Sequence, residues 1–247
     1  MDNEKTKILV LVEGEKTDVK LMSHLLTVYG IDQSHRIVSY KTNIYDLYDH
    51  MFAETDPEDV DILQLLKERE PNPEKKKIFD ERYSDVLLIF DLDPQDARFS
   101  ADKITRMIKF FVESSDMGKL YLNYPMVESF YHMKSIPDED YNSYMATMCE
   151  LKSHEYKGRV AAENRNHNFG KFAVNKGECD TVIRQNIDKA WAISEAERLV
   201  NDVQQLIPDA ADILSAQLDK LKTEDALFVL CTCAFYIPDF NPKLIEN

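Results

Sequence analysis

Two short runs of branched apolar residues, Ile8-Leu9-Val10-Leu11-Val12 and Val86-Leu87-Leu88-Ile89, carry no polar alternation. A strand without a polar face is buried on both sides, as in a parallel sheet covered by helices. Arg36–Tyr40 and Lys119–Asn123 read as two further strands. Between the strands, apolar residues recur at helical spacing over Thr17–Tyr29, with Thr17 or Asp18 as cap and Gly30 as stop. The same spacing runs from Asn43 to about Glu70, divided by Pro57, and over Ala101–Ser114. Glu70–Lys77, charged and proline-bearing, is expected to be a solvated loop. Strand and helix therefore alternate through the first half, which predicts a parallel α/β sheet with right-handed crossovers.

Past residue 135 the pattern becomes helical, over Asn186–Ile207, Ala210–Leu221 and Asp225–Ile237. The last stretch is apolar nearly all round, so it is expected to be a buried helix, within this chain or against a partner. The division that follows is an α/β domain over residues 1–135, with a helical insertion at about 43–80, and a mainly helical region over 136–247.

Composition narrows the class. A chain of 247 residues with 44% hydrophobic content is large enough for a core of its own. No apolar run is long enough to span a bilayer and the first seven residues are polar, so a cytoplasmic protein is expected, with no membrane contact. Cys149, Cys179, Cys231 and Cys233 show no metal-ligand spacing and read as reduced thiols, and the six histidines show no zinc pattern. A net charge of −15 argues against a protein that coats nucleic acid by bulk attraction. It leaves room for an enzyme that meets a phosphodiester through a metal and a local basic patch, or for a subunit docked on a more basic partner. One such patch exists: over 151–176, Lys152, Lys157, Arg159, Arg165, Lys171 and Lys176 with His154 and His167 face only Glu155 and Glu163, and Tyr156, Phe169 and Phe172 are interleaved. It is a candidate phosphate-backbone contact, or simply a solvated face.

The candidate chemistry lies where the apolar strands stop. Phe90-Asp91-Leu92-Asp93 ends one, and Glu13 ends the other, followed by Gly14 to allow a sharp turn. In open α/β sheets the carboxyl edge is where ligands bind. Asp91 and Asp93, two apart in extended backbone, point to one side. Like charges so placed call for a hard cation, Mg2+ or Mn2+. If the strands are parallel neighbours, Glu13 joins the pair. Tyr124-Pro125 follows another strand, with Pro125 suited to open a helix and Glu128 one turn in. The bland alternatives are a strand-end turn at Asp91 and Asp93, a loop acid at Glu13, a helix cap at Asp18 and a helix-start acid at Glu128.

Val12-Glu13-Gly14 ending a first strand and Asp91-Leu92-Asp93 ending a later one resemble the TOPRIM domain of topoisomerases, bacterial primases and overcoming-lysogenization-defect (OLD) nucleases. The wider phrases, Val12–Asp18 and Tyr124–Phe130, are more similar to stand-alone OLD-like and RloB-like TOPRIM proteins of bacterial anti-phage loci, which often sit beside an ATPase. The resemblance covers about residues 7–135. The longer interval between Glu13 and Asp91 departs from the compact primase version and accounts for the helical insertion. The resemblance implies a Rossmann-like sheet and a Mg2+- or Mn2+-dependent nuclease acting on DNA or RNA, with tRNA among the substrates of related effectors. In that scheme Asp91 and Asp93 are metal ligands, and Glu13 is a ligand or general acid/base. Beside that scheme, the residues themselves make Asp18 and Glu128 candidate second ligands or second-metal contacts, Lys16 a candidate for charge stabilisation near the phosphate, and Lys157 and Arg159 candidate substrate-binding residues. The resemblance also implies a partner ATPase, and a homo-oligomer is open. Two other readings remain: a phosphatase with Asp91 as nucleophile and Asp93 as acid/base, and a non-catalytic adaptor with a degenerate site.

Overall fold

The computed structural model describes residues 7–52, 56–115, 117–194 and 206–245. Its centre is a five-stranded sheet. β1 (Ile8–Val12) and β3 (Asp85–Asp91) lie side by side in parallel, with Val12 opposite Ile89, and all five residues of β1 are buried. Central strands are covered on both faces, which is why their sequences show no alternation. β2 (His35–Ser39) flanks β1 and β5 (Gly118–Asn123) flanks β3, both parallel. A two-residue edge strand, β4 (Val112–Glu113), pairs antiparallel with β5, giving the order β2-β1-β3-β5-β4. The expected helix over 101–114 is therefore shorter: α5 (Ala101–Phe110) stops and the chain turns back along β5.

The other helices of this half are α1 (Thr17–Val28), α2 (Ile44–Phe52) and α3 (Ile62–Arg69). Neither Thr17 nor Asp18 caps α1; its N-cap is Lys16, without a side-chain bond. Pro57 opens a 3-10 turn capped by Asp56, and α3 is capped by Asp61. The expected loop at Glu70–Lys77 is instead structured, because Asn72-Pro73 is a cap followed by a preset first helical residue. It starts the short α4 (Pro73–Lys76), and a 3-10 turn then buries Phe79.

The second half departs further from expectation. α8 (Lys176–Ser194) begins ten residues before Asn186, where the Asn175 side chain accepts the Glu178 amide; the expected continuation over 195–205 falls outside the described residues. Before it come β6 (Met145–Thr147), α6 (Met148–Lys152) and α7 (Tyr156–Glu163). After it, α9 (Ala210–Glu224) ends at Asp225 in left-handed backbone (φ 53°). The expected buried helix over 225–237 is buried, but its first part is β7 (Ala226–Phe228), antiparallel to β6, and helical backbone appears only later, as a 3-10 turn at Cys233–Phe235 that leads into the short α10 (Tyr236–Phe240). Leu230 exchanges both backbone bonds with Tyr124, just past β5 (2.8 and 2.9 Å). One apolar cluster runs from β1 through α8 to Ile237, so the C-terminal segment packs directly on the sheet.

Candidate active site

The register of β1 and β3 sets Glu13 beside Asp91. The Glu13 amide donates to the Ile89 carbonyl at 3.1 Å, continuing the ladder by one bond. Its Oε2 accepts the Asp91 amide at 3.2 Å. Asp91 is the last residue of β3 and only 7% exposed; its Oδ1 accepts from Asn123 Nδ2 at 3.3 Å. Asp93 reaches the cleft differently from the expected strand alternation. The strand ends at Asp91, and Asp93 sits in left-handed backbone (φ 42°), its amide donating to the Pro125 carbonyl and its Oδ1 accepting from Gln95. A turn, not a pleat, therefore brings the two aspartates to one cleft.

Gly14 also serves a purpose other than the expected one. Its φ is not positive, but a Cβ there would lie 2.5 Å from Asp18 Oδ2. Glycine lets the buried Asp18 carboxylate come against the backbone. Asp18 Oδ1 is buried with no hydrogen-bond partner. Glu128 is in a 3-10 turn, Val127–Tyr131, with Pro125 cis and outside it, so the expected α-helix with Pro125 at its first position is absent. Its Oε1 lies 3.2 Å from Lys157 Nζ, and its buried Oε2 has no partner.

Glu13, Asp18, Asp91, Asp93 and Glu128 line one open cleft of about 760 Å3, together with Lys16 and Lys157. Arg159 does not join them. Two residues on from Lys157 it faces another side of α7, where its guanidinium meets Glu150 (3.0 Å) and the Met145 carbonyl (2.6 Å). Sequence reasoning missed Asn123, which is fully buried, holds Asp91 and in turn accepts the Cys233 amide at 3.1 Å. Its signal was position: it is the last residue of a strand next to β3. Gln95, the partner of Asp93, had no comparable signal.

The electrostatics are those of crowded, buried acids. Burial raises the Asp91 pKa well above the carboxylate range, reinforced by Glu13, Asp93, Asp18 and Glu128. Glu13 is pushed up to about 8 by burial and by Asp93, against the Asp91 amide bond. Burial likewise raises Asp93, against its bond from Gln95, and Asp18, against the Gly14 amide. These groups cannot all ionise without added positive charge. Among the described residues no three His, Cys, Asp or Glu side chains are arranged to hold one ion by themselves. Mg2+ does not need three, because it typically keeps several waters and takes one or two carboxylates plus phosphate oxygens. The two unpartnered buried oxygens, on Asp18 and Glu128, and the mutual repulsion of the set fit such an ion. The oxygen-only donor set fits Mg2+ or Mn2+ rather than zinc.

No protein-family model matches this chain, and no curated protein or solved structure shows a significant match to it. Among the described residues no helix is long and apolar enough to cross a membrane.

Proposed function

We propose that the protein is a divalent-metal-dependent nuclease of TOPRIM type, hydrolysing phosphodiester bonds of DNA or RNA, tRNA included. The observation that carries this reading is the gathering of five acids in one cleft at the carboxyl edge of a parallel sheet, with two buried carboxylate oxygens left unpartnered. Asp91 and Asp93 would hold Mg2+ or Mn2+, with Asp18 and Glu128 as further ligands around them. Bound there, the ion supplies neutralisation of the phosphate charge and a more acidic water.

The chain's own residues supply the rest. Glu13, with its raised pKa, is suited to exchange a proton near neutral pH, as a general acid/base requires. Lys157, anchored by Glu128, and Lys16 at the N-cap of α1 present ammonium groups to the same cleft, where a non-bridging phosphate oxygen would sit. The order Glu13-Gly14, Asp91-Leu92-Asp93 on parallel strands supports the TOPRIM assignment. The net charge of −15 supports a cytoplasmic effector whose access to polyanions is controlled by a partner, an ATPase of an anti-phage system being the kind that the resemblance implies.

The test is incubation of wild type, Asp91→Ala and Glu13→Ala with plasmid, single-stranded DNA and total tRNA, in Mg2+, in Mn2+ and in EDTA. Metal-dependent cleavage should fall on the order of a hundredfold or more in both variants. Undiminished cleavage by a well-folded Asp91→Ala protein would end the assignment.

A further inference from the structure

Next to the acidic cleft lies a second groove, of about 610 Å3, and the two meet at Lys16 and Thr17. Its chemistry is the reverse. Lys16, Lys20, His24 and His167 line it, and its lining includes no carboxylate. Neither Lys16 nor Lys20 has an ion-pair partner among the described residues. Positions 16, 20 and 24 are four apart, so they form one ridge along α1 with steps of about 6 Å.

The facing wall is aromatic. The partly exposed Phe169 lies flat on buried Tyr131, with ring centroids 4.3 Å apart and planes 8° from parallel. The loop that carries it is held from below. Buried Asn164 accepts the amides of Asn166 and Asn168 and donates to the Tyr131 carbonyl at 2.7 Å. Phe169, on a loop braced by Asn164, and the Tyr131 stacked on it both line the groove. A cationic ridge that follows a backbone, opposite an aromatic on which a base can stack, is the arrangement that binds unpaired nucleic-acid strands. A duplex keeps its bases stacked inside and has no use for Phe169.

We propose that this groove holds an unpaired polynucleotide strand, with Lys16 and Lys20 along its backbone and one base on Phe169, so that the adjoining phosphodiester enters the acidic cleft. The inference rests on the nuclease reading and adds to it a substrate form, single-stranded at the cut.

The test is binding, measured in Ca2+ by fluorescence anisotropy on short single strands of DNA and of RNA and on the DNA duplex. Wild type, Lys20→Ala, Lys20→Glu, Phe169→Leu and Phe169→Trp are compared, with thermal melts to confirm folding. Phe169→Leu keeps Tyr131 covered but removes stacking, and should weaken single-strand binding roughly five- to a hundredfold, while Phe169→Trp retains it. Lys20→Ala should reduce the salt slope by about 0.7, with Lys20→Glu weaker still. Duplex binding should be weaker than single-strand binding and unchanged by Phe169→Leu; the DNA and RNA arms say which polymer is preferred. Equal binding of strands by wild type, Lys20→Glu and Phe169→Leu would overturn the groove while leaving the nuclease standing on its Asp91-dependent cleavage. Tighter binding of duplex than of single strand would also overturn it. Absence of both binding and metal-dependent cleavage would overturn both readings.

Discussion

At the scale of single residues, the site holds more negative charge than its surroundings can solvate. Burial keeps Glu13 protonated up to about pH 8 in the folded chain, against 4.5 as its ordinary value. Between those limits the folded state binds the extra proton, so stability falls as pH rises through the window. Urea denaturation in EDTA should therefore show a more stable wild type at pH 5.5 than at pH 8, and Glu13→Gln should lessen that slope, a gain on the order of 2 to 4 kcal/mol at pH 8, the remainder coming from Asp91, Asp93 and Asp18. An unchanged pH slope in Glu13→Gln would contradict the assignment. Gly14→Ala makes a separate prediction, because the new methyl meets the Asp18 carboxylate. Cleavage should drop about tenfold or more while far-UV circular dichroism stays native. The acids at 13, 91 and 93 could be read from sequence because they interrupt apolar runs at the strand ends. The left-handed turn at Asp93 with its local bond from Gln95 could not, because no sequence pattern marks it, and the bond from Asn123 depends on the pairing of neighbouring strands.

At the scale of elements, local pattern served the first half better than the second. β1, α1 and β3 are each specified by their own residues: a continuous apolar run or a helical stripe ended by glycine or an acid. The stretch Ala226–Cys231 is ambiguous, because a short all-apolar run suits a buried helix and a buried strand equally. Distant groups settle it. Fully buried Gln217 on α9 brackets Phe228, accepting its amide at 2.9 Å and donating to its carbonyl at 3.0 Å. Asn186, buried in α8, accepts both the Tyr141 hydroxyl (2.6 Å) and the Cys231 amide (2.8 Å). Gln217→Ala should lower the unfolding free energy by about 1 to 3 kcal/mol, and Asn186→Ala by a similar or larger amount, in urea titrations. Near-neutral effects would mean that β7 is held by packing alone.

At the scale of the whole molecule, the acidic cleft and the chain's net charge act in the same direction: both exclude a polyanion until cations intervene. Binding of a divalent ion displaces protons from the buried carboxylates, so its stabilising effect grows with pH. Mg2+ at millimolar concentration should raise the melting temperature by several degrees at pH 8, less at pH 6, and by nothing measurable in Asp91→Ala. A Mg2+ shift that is the same at both pH values would argue against ion binding at this cluster. The alternation of strands and helices conveyed the mostly parallel sheet and its covering helices. The interlocking of the C-terminal segment with the sheet had no local signature, since it is made of contacts more than a hundred residues apart, such as Thr232 to Leu122 and Leu230 to Tyr124.

That interlocking has a consequence for the order in which the protein is made. Asn123, which holds Asp91, is itself held by the amide of Cys233. A ribosome has therefore translated the whole acidic set, from Glu13 to Glu128, long before the residues that fix its geometry leave the exit tunnel. The acids thus precede in the chain the backbone amide that steadies the partner of Asp91. On the proposed nuclease reading, a chain translated only as far as Glu128 would hold all five acids without the support that orients Asp91.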